Sequence, residues 1–252
     1  MRNKKVAVIT GGTSGIGLGT AALFLKKGYD VALIGRSREK GREAVRYLAA
    51  DGLRGTFFPG DVSSPGQCQT VIADIVARYG RIDVLVNSAG IYLEKAIREM
   101  TEAEYVEVMD INVKGTYFMC KYVVPELCKT TGGAIINVAS DAGLQGNRLC
   151  SAYCASKGAV TLFTKALALE LSGYPIRVNC VCPGDIDTPL TRRQLLGWND
   201  PEAGLNEMKK IYPLNRIGFV REVAEVICFL ASDAASFVTG AAWPIDGGLT
   251  TQ

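Results

Sequence analysis

The segment Lys5-Val6-Ala7-Val8-Ile9-Thr10 is a short apolar run, and Thr10-Gly11-Gly12-Thr13-Ser14-Gly15-Ile16-Gly17 follows it directly, opening into Leu18 to Lys27 with helical spacing. Buried strand, glycine turn and helix start, in that order, predict the opening of a βαβ unit. A helix N-terminus presents unpaired amide N–H groups and the positive end of its dipole. Gly11, Gly15 and Gly17 let the backbone turn tightly and approach a pyrophosphate held there. The spacing Gly-x-x-x-Gly-x-Gly lacks the Gly-Lys-Ser/Thr ending of a triphosphatase loop, so a dinucleotide is the expected ligand.

The alternation continues along the chain. Strands are predicted at 5–10, 31–35, 55–59, 82–87, 133–139, 176–181 and 241–245, with helical patterns between them. This predicts an α/β fold: a single-domain Rossmann-type doubly wound parallel sheet of about seven strands with helices on both faces, spanning 1–252. Val84-Leu85-Val86 and Ala134-Ile135-Ile136-Asn137-Val138 are continuous apolar runs, as strands covered on both faces should be. At 252 residues and 48% apolar the chain supports one sizeable core, and no linker or repeat divides it. Ligands in such sheets bind beyond the carboxyl ends of the strands. Gly11, Asp61, Asn87, Ser140 and Pro183 all fall at or just after predicted strand ends, which brings them to one crevice.

Within Ser151-Ala152-Tyr153-Cys154-Ala155-Ser156-Lys157-Gly158, four-residue spacing puts Tyr153 and Lys157 on one helical face, an ammonium beside a phenol. Lowering a tyrosine from ~10 to about 7 requires roughly 4 kcal/mol. One charge at about 4 Å and an effective dielectric near 20 supplies about that, so a phenol poised near neutrality is expected. The chain has no histidine, which excludes a Ser-His-Asp triad, a Cys-His pair and histidine-built zinc sites. Its eight cysteines include no Cys-x-x-Cys pair, so no metal site is expected. They read as buried thiols in a reducing cytosol, with Cys150 and Cys154 flanking Tyr153. A net charge of +3, with Lys and Arg scattered among acids, gives no nucleic-acid footprint. No apolar stretch reaches the ~20 residues of a membrane span, and Met1 to Lys5 lead into a strand rather than a signal core. No membrane partner and a cytoplasmic location are therefore expected.

Besides the glycine turn, the chain carries Asp61-Val62, Asn87-Ser88-Ala89-Gly90, Met109-Asp110-Ile111-Asn112-Val113, Ser140, Tyr153 with Lys157, Pro183-Gly184 followed by Thr188, and the tail Val238-Thr239-Gly240 with Asp246-Gly247-Gly248. In that order, over nearly the whole length, it resembles the short-chain dehydrogenase/reductase family in its common form of roughly 250 residues. Ser88 departs from the second asparagine that many members have. The resemblance implies NAD(P)-dependent interconversion of a ketone and a secondary alcohol by hydride transfer. Tyr153 would be the acid or base, Ser140 would hold the same substrate oxygen, and Lys157 would bind the nicotinamide ribose. Asn112 would hold a water linking that lysine to solvent; its other reading is a helix-kink asparagine. The cofactor would lie along Gly11, Thr13, Ser14, Gly15, Ile16 and Gly17, with Asp61 and Val62 at the adenine. Asn87, Ala89 and Gly90 would form a wall, and Pro183, Gly184, Ile186 and Thr188 would meet the nicotinamide. Asp61 also reads as a turn residue before Ser63-Ser64-Pro65. The family further implies a homotetramer, and the small residues Ala152, Cys154, Ala155, Gly158 and Ala159 would let a second helix come close.

The second predicted strand ends Ile34-Gly35-Arg36-Ser37-Arg38. An acid at its end would bond the adenosine ribose and repel a 2′-phosphate; Gly35 does neither, and the Arg36 guanidinium with Ser37 can clamp a phosphate. NADP(H) is therefore favoured over NAD(H), against the alternative that these are solvated loop residues. The substrate pocket is expected between 91–96, 144–149 and a lid at about 190–212. Leu195, Leu196 and Trp198 in that lid suggest a bulky, hydroxysteroid-like ketone or alcohol. A 3-oxoacyl-carrier-protein reductase and a sugar or polyol dehydrogenase are the alternatives. Arg148, Arg192 and Arg193 read as a solvated face and Asp141 as a loop residue. A non-catalytic nucleotide sensor would have no need of an intact Tyr153 and Lys157.

Overall fold

The computed structural model describes residues 4–251; the reading of Met1 to Asn3 as a leader into the first strand lies outside the described residues. The strands β1 Val6–Thr10, β2 Asp30–Gly35, β3 Thr56–Pro59, β4 Val84–Asn87, β5 Gly133–Val138, β6 Ile176–Pro183 and β7 Ala242–Ile245 form one sheet in the order β3-β2-β1-β4-β5-β6-β7. Every pairing is parallel. Each expected strand is present. β6 outruns its expected end because Cys182 and Pro183 continue it, in register with Pro244 and Ile245 of β7.

The helices are α1 Gly15–Lys26, α2 Arg38–Ala50, α3 Pro65–Tyr79, α4 Glu102–Met109, α5 Gly115–Leu127, α6 Ser151–Glu170, α7 Pro189–Leu195, α8 Pro201–Lys210 and α9 Val220–Ala231. Successive strand residues point to opposite faces, and both faces are covered. Val8, Ile34, Leu85 and Ile135 pack with Ile75 of α3, Met119 of α5 and Leu167 of α6. Their neighbours Ile9, Leu33, Val86 and Ile136 pack on the other side with Phe24 of α1, Leu48 of α2 and Ile227 of α9. That double coverage is why the strands read as unbroken apolar runs. Burial of each such side chain contributes about 1.5–3 kcal/mol.

A buried polar ladder ties the helix bearing Tyr153 to the sheet. Asn87 Nδ2 donates to Asn137 Oδ1 at 2.9 Å, and Asn137 Nδ2 donates to Thr164 Oγ1 of α6 at 2.9 Å. Asn137 is satisfied at both amide atoms, whereas Asn87 Oδ1 is left buried without a partner among the described residues. Between α4 and α5, Asp110–Lys114 form a single π turn that carries Asn112.

Candidate active site

β1 has β2 on one side and β4 on the other, so the chain leaves it in opposite directions and a crevice opens at the carboxyl ends. Thr10 Oγ1 accepts from the Ser88 and Ala89 amides at 3.1 Å each, which ties the loop after β1 to the loop after β4. Gly11 and Gly15 have φ of +62° and +51°, a conformation that side chains disfavour. A Cβ on Gly17 would collide with the Gly11 carbonyl. Ser14, at the N-cap of α1, gives its amides no side-chain bond, and the first turn holds no acid. The amides are thus left for an anion, the arrangement a pyrophosphate requires.

The crevice holds a cavity of about 590 Å³. Of the expected residues, Gly11, Ser14, Gly15, Ile16, Ala89, Gly90, Ser140, Tyr153, Lys157, Pro183, Gly184, Ile186 and Thr188 line it. Thr13, Arg36, Ser37 and Asp61 lie at the neighbouring ends of β2 and β3. There, a Cβ on Gly35 would meet Thr13 Cγ2 at 3.0 Å, and Gly60 N donates to Gly35 O at 3.0 Å. Arg36 is exposed and makes no ion pair among the described residues. The turn reading of Asp61 is realised, since its Oδ1 accepts from Ser63 N at 2.9 Å and Ser63 Oγ at 2.8 Å. Two expectations need correcting. The Val62 side chain belongs to the core, packed where Gly115 leaves room, and Asn87 turns into the sheet toward Asn137 and Cys120 rather than into the crevice.

Tyr153 and Lys157 lie on α6, 9% and 6% exposed. Lys157 Nζ donates to Val138 O at 2.9 Å and lies 5.7 Å from the Tyr153 ring centroid. Burial raises the phenol above the ordinary tyrosine value; hydrogen bonding toward Ser140 lowers it and the charges of Asp141 and Asp185 raise it further. A phenol poised near neutrality is therefore not what the free protein holds. Loss of hydration outweighs a lysine that is itself desolvated, and burial brings Lys157 down to about 8.

Ser140 stands two residues after β5 and caps the 3₁₀ turn Asp141–Gly143, accepting from Ala142 N at 3.2 Å. Its hydroxyl donates to Asp141 Oδ1 at 2.6 Å, while Asp141 Oδ2 accepts from Asn147 Nδ2 at 3.0 Å. Asp141 is thus a buried member of the site, not a plain loop residue. Asn112 does not bond its own backbone with its amide. Oδ1 accepts from Ile91 N at 2.9 Å, and Nδ2 donates to Ile91 O at 3.0 Å and to Ser156 Oγ at 3.1 Å. It clasps the loop after β4 to α6, close to Lys157. A Cβ on Gly90 would meet Asn112 Oδ1 at 3.3 Å and Lys157 Nζ at 3.5 Å.

The outer cavity differs from expectation. Leu195 is buried, Leu196 is exposed, and Trp198 packs against Gly204 of α8 at 2.7 Å from its would-be Cβ. None of the three lines the cavity. Leu190, Met208 and Ile211 line it instead, with Glu94, Asp141 and Asp185. Arg148 and Arg193 reach the same cavity, whereas Arg192 pairs with Asp187 at 2.9 Å. The Tyr92 ring meets Tyr153 edge-on at 4.9 Å, and its hydroxyl donates to Glu94 Oε2 at 2.9 Å. Tyr92, Glu94 and Tyr212 fall within the expected pocket walls, where no role was assigned to them, and sequence reading missed Asp185, for which no local motif exists. All eight cysteines are free, and burial raises the Cys150 thiol, keeping it protonated.

Residues 11–250 match the model of a family described as enoyl-(acyl carrier protein) reductase. A 3-oxoacyl-(acyl-carrier-protein) reductase of Thermotoga maritima is 42% identical over 247 residues, covering 97% of each chain. An L-fucose dehydrogenase of Rattus norvegicus is 39% identical over 97% of this chain and 88% of its own. Among solved structures, a variant of actinorhodin polyketide ketoreductase with NADPH superposes with a TM-score of 0.95 at 34% identity, covering 100% of this chain and 99% of that one.

Proposed function

The chain belongs to the short-chain dehydrogenase/reductase family, oxidoreductases acting on CH–OH groups, and we propose that it is an NADP(H)-preferring enzyme that uses Tyr153 to reduce a small ketone to a secondary alcohol. The observation that carries this reading is a buried phenol lining the crevice beside Ser140, with the Lys157 ammonium nitrogen one helical turn away and 5.7 Å from its ring centroid. NADPH would supply the hydride. The glycine turn and the uncapped amides of α1 fit its pyrophosphate, and Pro183, Gly184, Ile186 and Thr188 stand where its nicotinamide end would lie. Tyr153 donates its proton to the carbonyl oxygen as the alcohol forms. Ser140 has one proton and two partners in reach, so it turns from Asp141 to hold the developing oxyanion. Lys157 stabilises the phenolate left behind, and Asn112 fixes the loop and helix between which a proton can return to it. A ketone panel with NADPH and NADH, followed by the loss of reduced cofactor, tests the reaction.

The lysine sets the pH dependence. Its ammonium is present below about 8 and is lost above, because burial disfavours the charged form. In reduction, kcat/KM should hold level at neutral pH and fall as pH rises through about 8, before the phenol itself ionises. A profile flat to ~10, the ordinary lysine range, would remove this role for Lys157.

The working form is a homotetramer in a reducing cytoplasm. Leu162, Leu169 and Tyr117 are exposed on α5 and α6, and Gly158 leaves open space along the same helix. Phe229, Phe237 and Trp243 make a second exposed apolar group near β7. Two separate faces of this kind suit closed symmetry with two interfaces. Light scattering at micromolar concentration should give four times the chain mass, and a monomer overturns the assignment.

A further inference from the structure

Resting on the carbonyl-reductase reading, we propose that the substrate is polyhydroxylated, an aldose or alditol with hydroxyl groups flanking the reacting carbon, and that Asp185 is the residue that selects it. The two carboxylates nearest the reacting end of the cavity differ in their commitments. Both oxygens of Asp141 are engaged, one by Ser140 and one by Asn147. Asp185 follows Pro183-Gly184 off β6, and its backbone amide donates to Tyr212 Oη at 2.6 Å. Burial raises this carboxyl above the usual range, and among the described residues that same phenol is the one side-chain hydrogen-bond partner that opposes the shift. An ionised carboxylate offers about four acceptor sites, so Asp185 has unused acceptors in a cavity-lining position. It lines the same cavity as Tyr153 and Ser140.

What fills such a position must bring O–H or N–H donors. An apolar flank would leave the acceptors stripped of water and unpaired, and a site built to bond a hydroxyl rejects the analogue that lacks one. A carboxylate or phosphate next to the reacting carbon would face both Asp141 and Asp185 and be repelled. The arginines do not offset this, because Arg148 is exposed at the rim and Arg193, also exposed, donates to Pro189 O at 3.2 Å. Gln145, Asn147 and Gln194 line the same space, and amides both donate and accept, as hydroxyl groups do and an ammonium does not. The cavity of about 590 Å³ also takes in Gly11 and Gly15, so substrate and cofactor would share it.

The test compares kcat/KM in the purified enzyme with NADP+ for a set of aldoses and alditols, cyclohexanol as the ring without flanking hydroxyls, and an amino alcohol, with acetoacetyl thioester reduction measured with NADPH. The best polyol should exceed cyclohexanol by at least about a hundredfold, and Asp185→Asn should cut that ratio at least about tenfold, a change of roughly 1.4 kcal/mol in selectivity. Asp185→Ser gives the same comparison if the asparagine variant does not fold. Turnover of cyclohexanol, the amino alcohol or the thioester at or above every polyol overturns the inference and leaves the reductase reading standing. An equal loss for polyol and cyclohexanol in Asp185→Asn overturns the role of Asp185. If nothing is turned over while NADPH binding is measurable by fluorescence, the reaction and this inference fall together.

Discussion

Tyr153→Phe is expected to lower kcat for ketone reduction at least about a thousandfold, roughly 4 kcal/mol of transition-state stabilisation, while NADPH binds within about threefold of wild type. The surroundings of the phenol make this a clean deletion. The ring is held edge-on by Tyr92 at 4.9 Å, a contact that phenylalanine keeps. Removing the oxygen strands no partner, because Ser140 already donates to Asp141 and accepts from Ala142. Lys157 retains its bond to Val138 O. The loss should therefore fall on the chemical step and not on folding or cofactor affinity, and steady-state rates with a fluorescence titration of NADPH separate the two. Retention of more than about a tenth of wild-type kcat would mean that another group delivers the proton, and the acid role of Tyr153 would be wrong.

The strength of that prediction comes from a feature that sequence could not supply. Spacing places Tyr153 and Lys157 on one helical face, and the structure agrees, but spacing says nothing of the water both groups lose. The desolvation that lifts the phenol and lowers the lysine is set by how the loops after β4, β5 and β6 close over α6. The same distinction separates what was legible elsewhere. The fold was readable because Ile9, Leu33, Val86 and Ile136 sit beside equally apolar neighbours that serve the opposite face. The glycine turn was readable because only backbone without a Cβ fits between Gly11 and Gly17. Asn87 looked like a wall of the crevice from its place at a strand end; its side chain instead satisfies a buried partner, Asn137, fifty residues further along the chain. Trp198 looked like a substrate contact from its place in the lid, yet it fills the space that Gly204 leaves open. Glu94, Asp141 and Asp185 come from three separate loops, and their convergence on one cavity has no signature in any single stretch of chain.

Cofactor choice shows how the two kinds of information combine. The wild-type enzyme is expected to use NADPH over NADH by a kcat/KM ratio of ten or more, about 1.4 kcal/mol, a modest demand on one charge-assisted contact. Arg36 follows Gly35 at the end of β2, exposed and without an ion pair among the described residues, so binding a 2′-phosphate would require it to break no existing bond. Ser37 is less free than its sequence suggests. Its oxygen caps α2 by accepting from Lys40 N at 3.2 Å, though the hydroxyl proton stays available to a phosphate. Arg36→Ala alone should erase most of the preference, since it removes the clamp without adding a rival for the ribose. Adding Gly35→Asp should reverse it, making NADH the better cofactor by about tenfold, through repulsion of the phosphate and bonding of the bare ribose hydroxyls. That second step has a steric condition. The new Cβ would meet Thr13 Cγ2 at 3.0 Å, and Thr13 must shift by a few tenths of an ångström to admit it. Reversal with intact kcat would show that it does, whereas loss of both cofactors would place the cost in the glycine turn. Equal or better use of NADH by the wild-type enzyme would end the assignment of Arg36 and leave the Tyr153 chemistry untouched, because Arg36 follows β2 and Tyr153 stands on α6, and the two share no side-chain partner among the described residues.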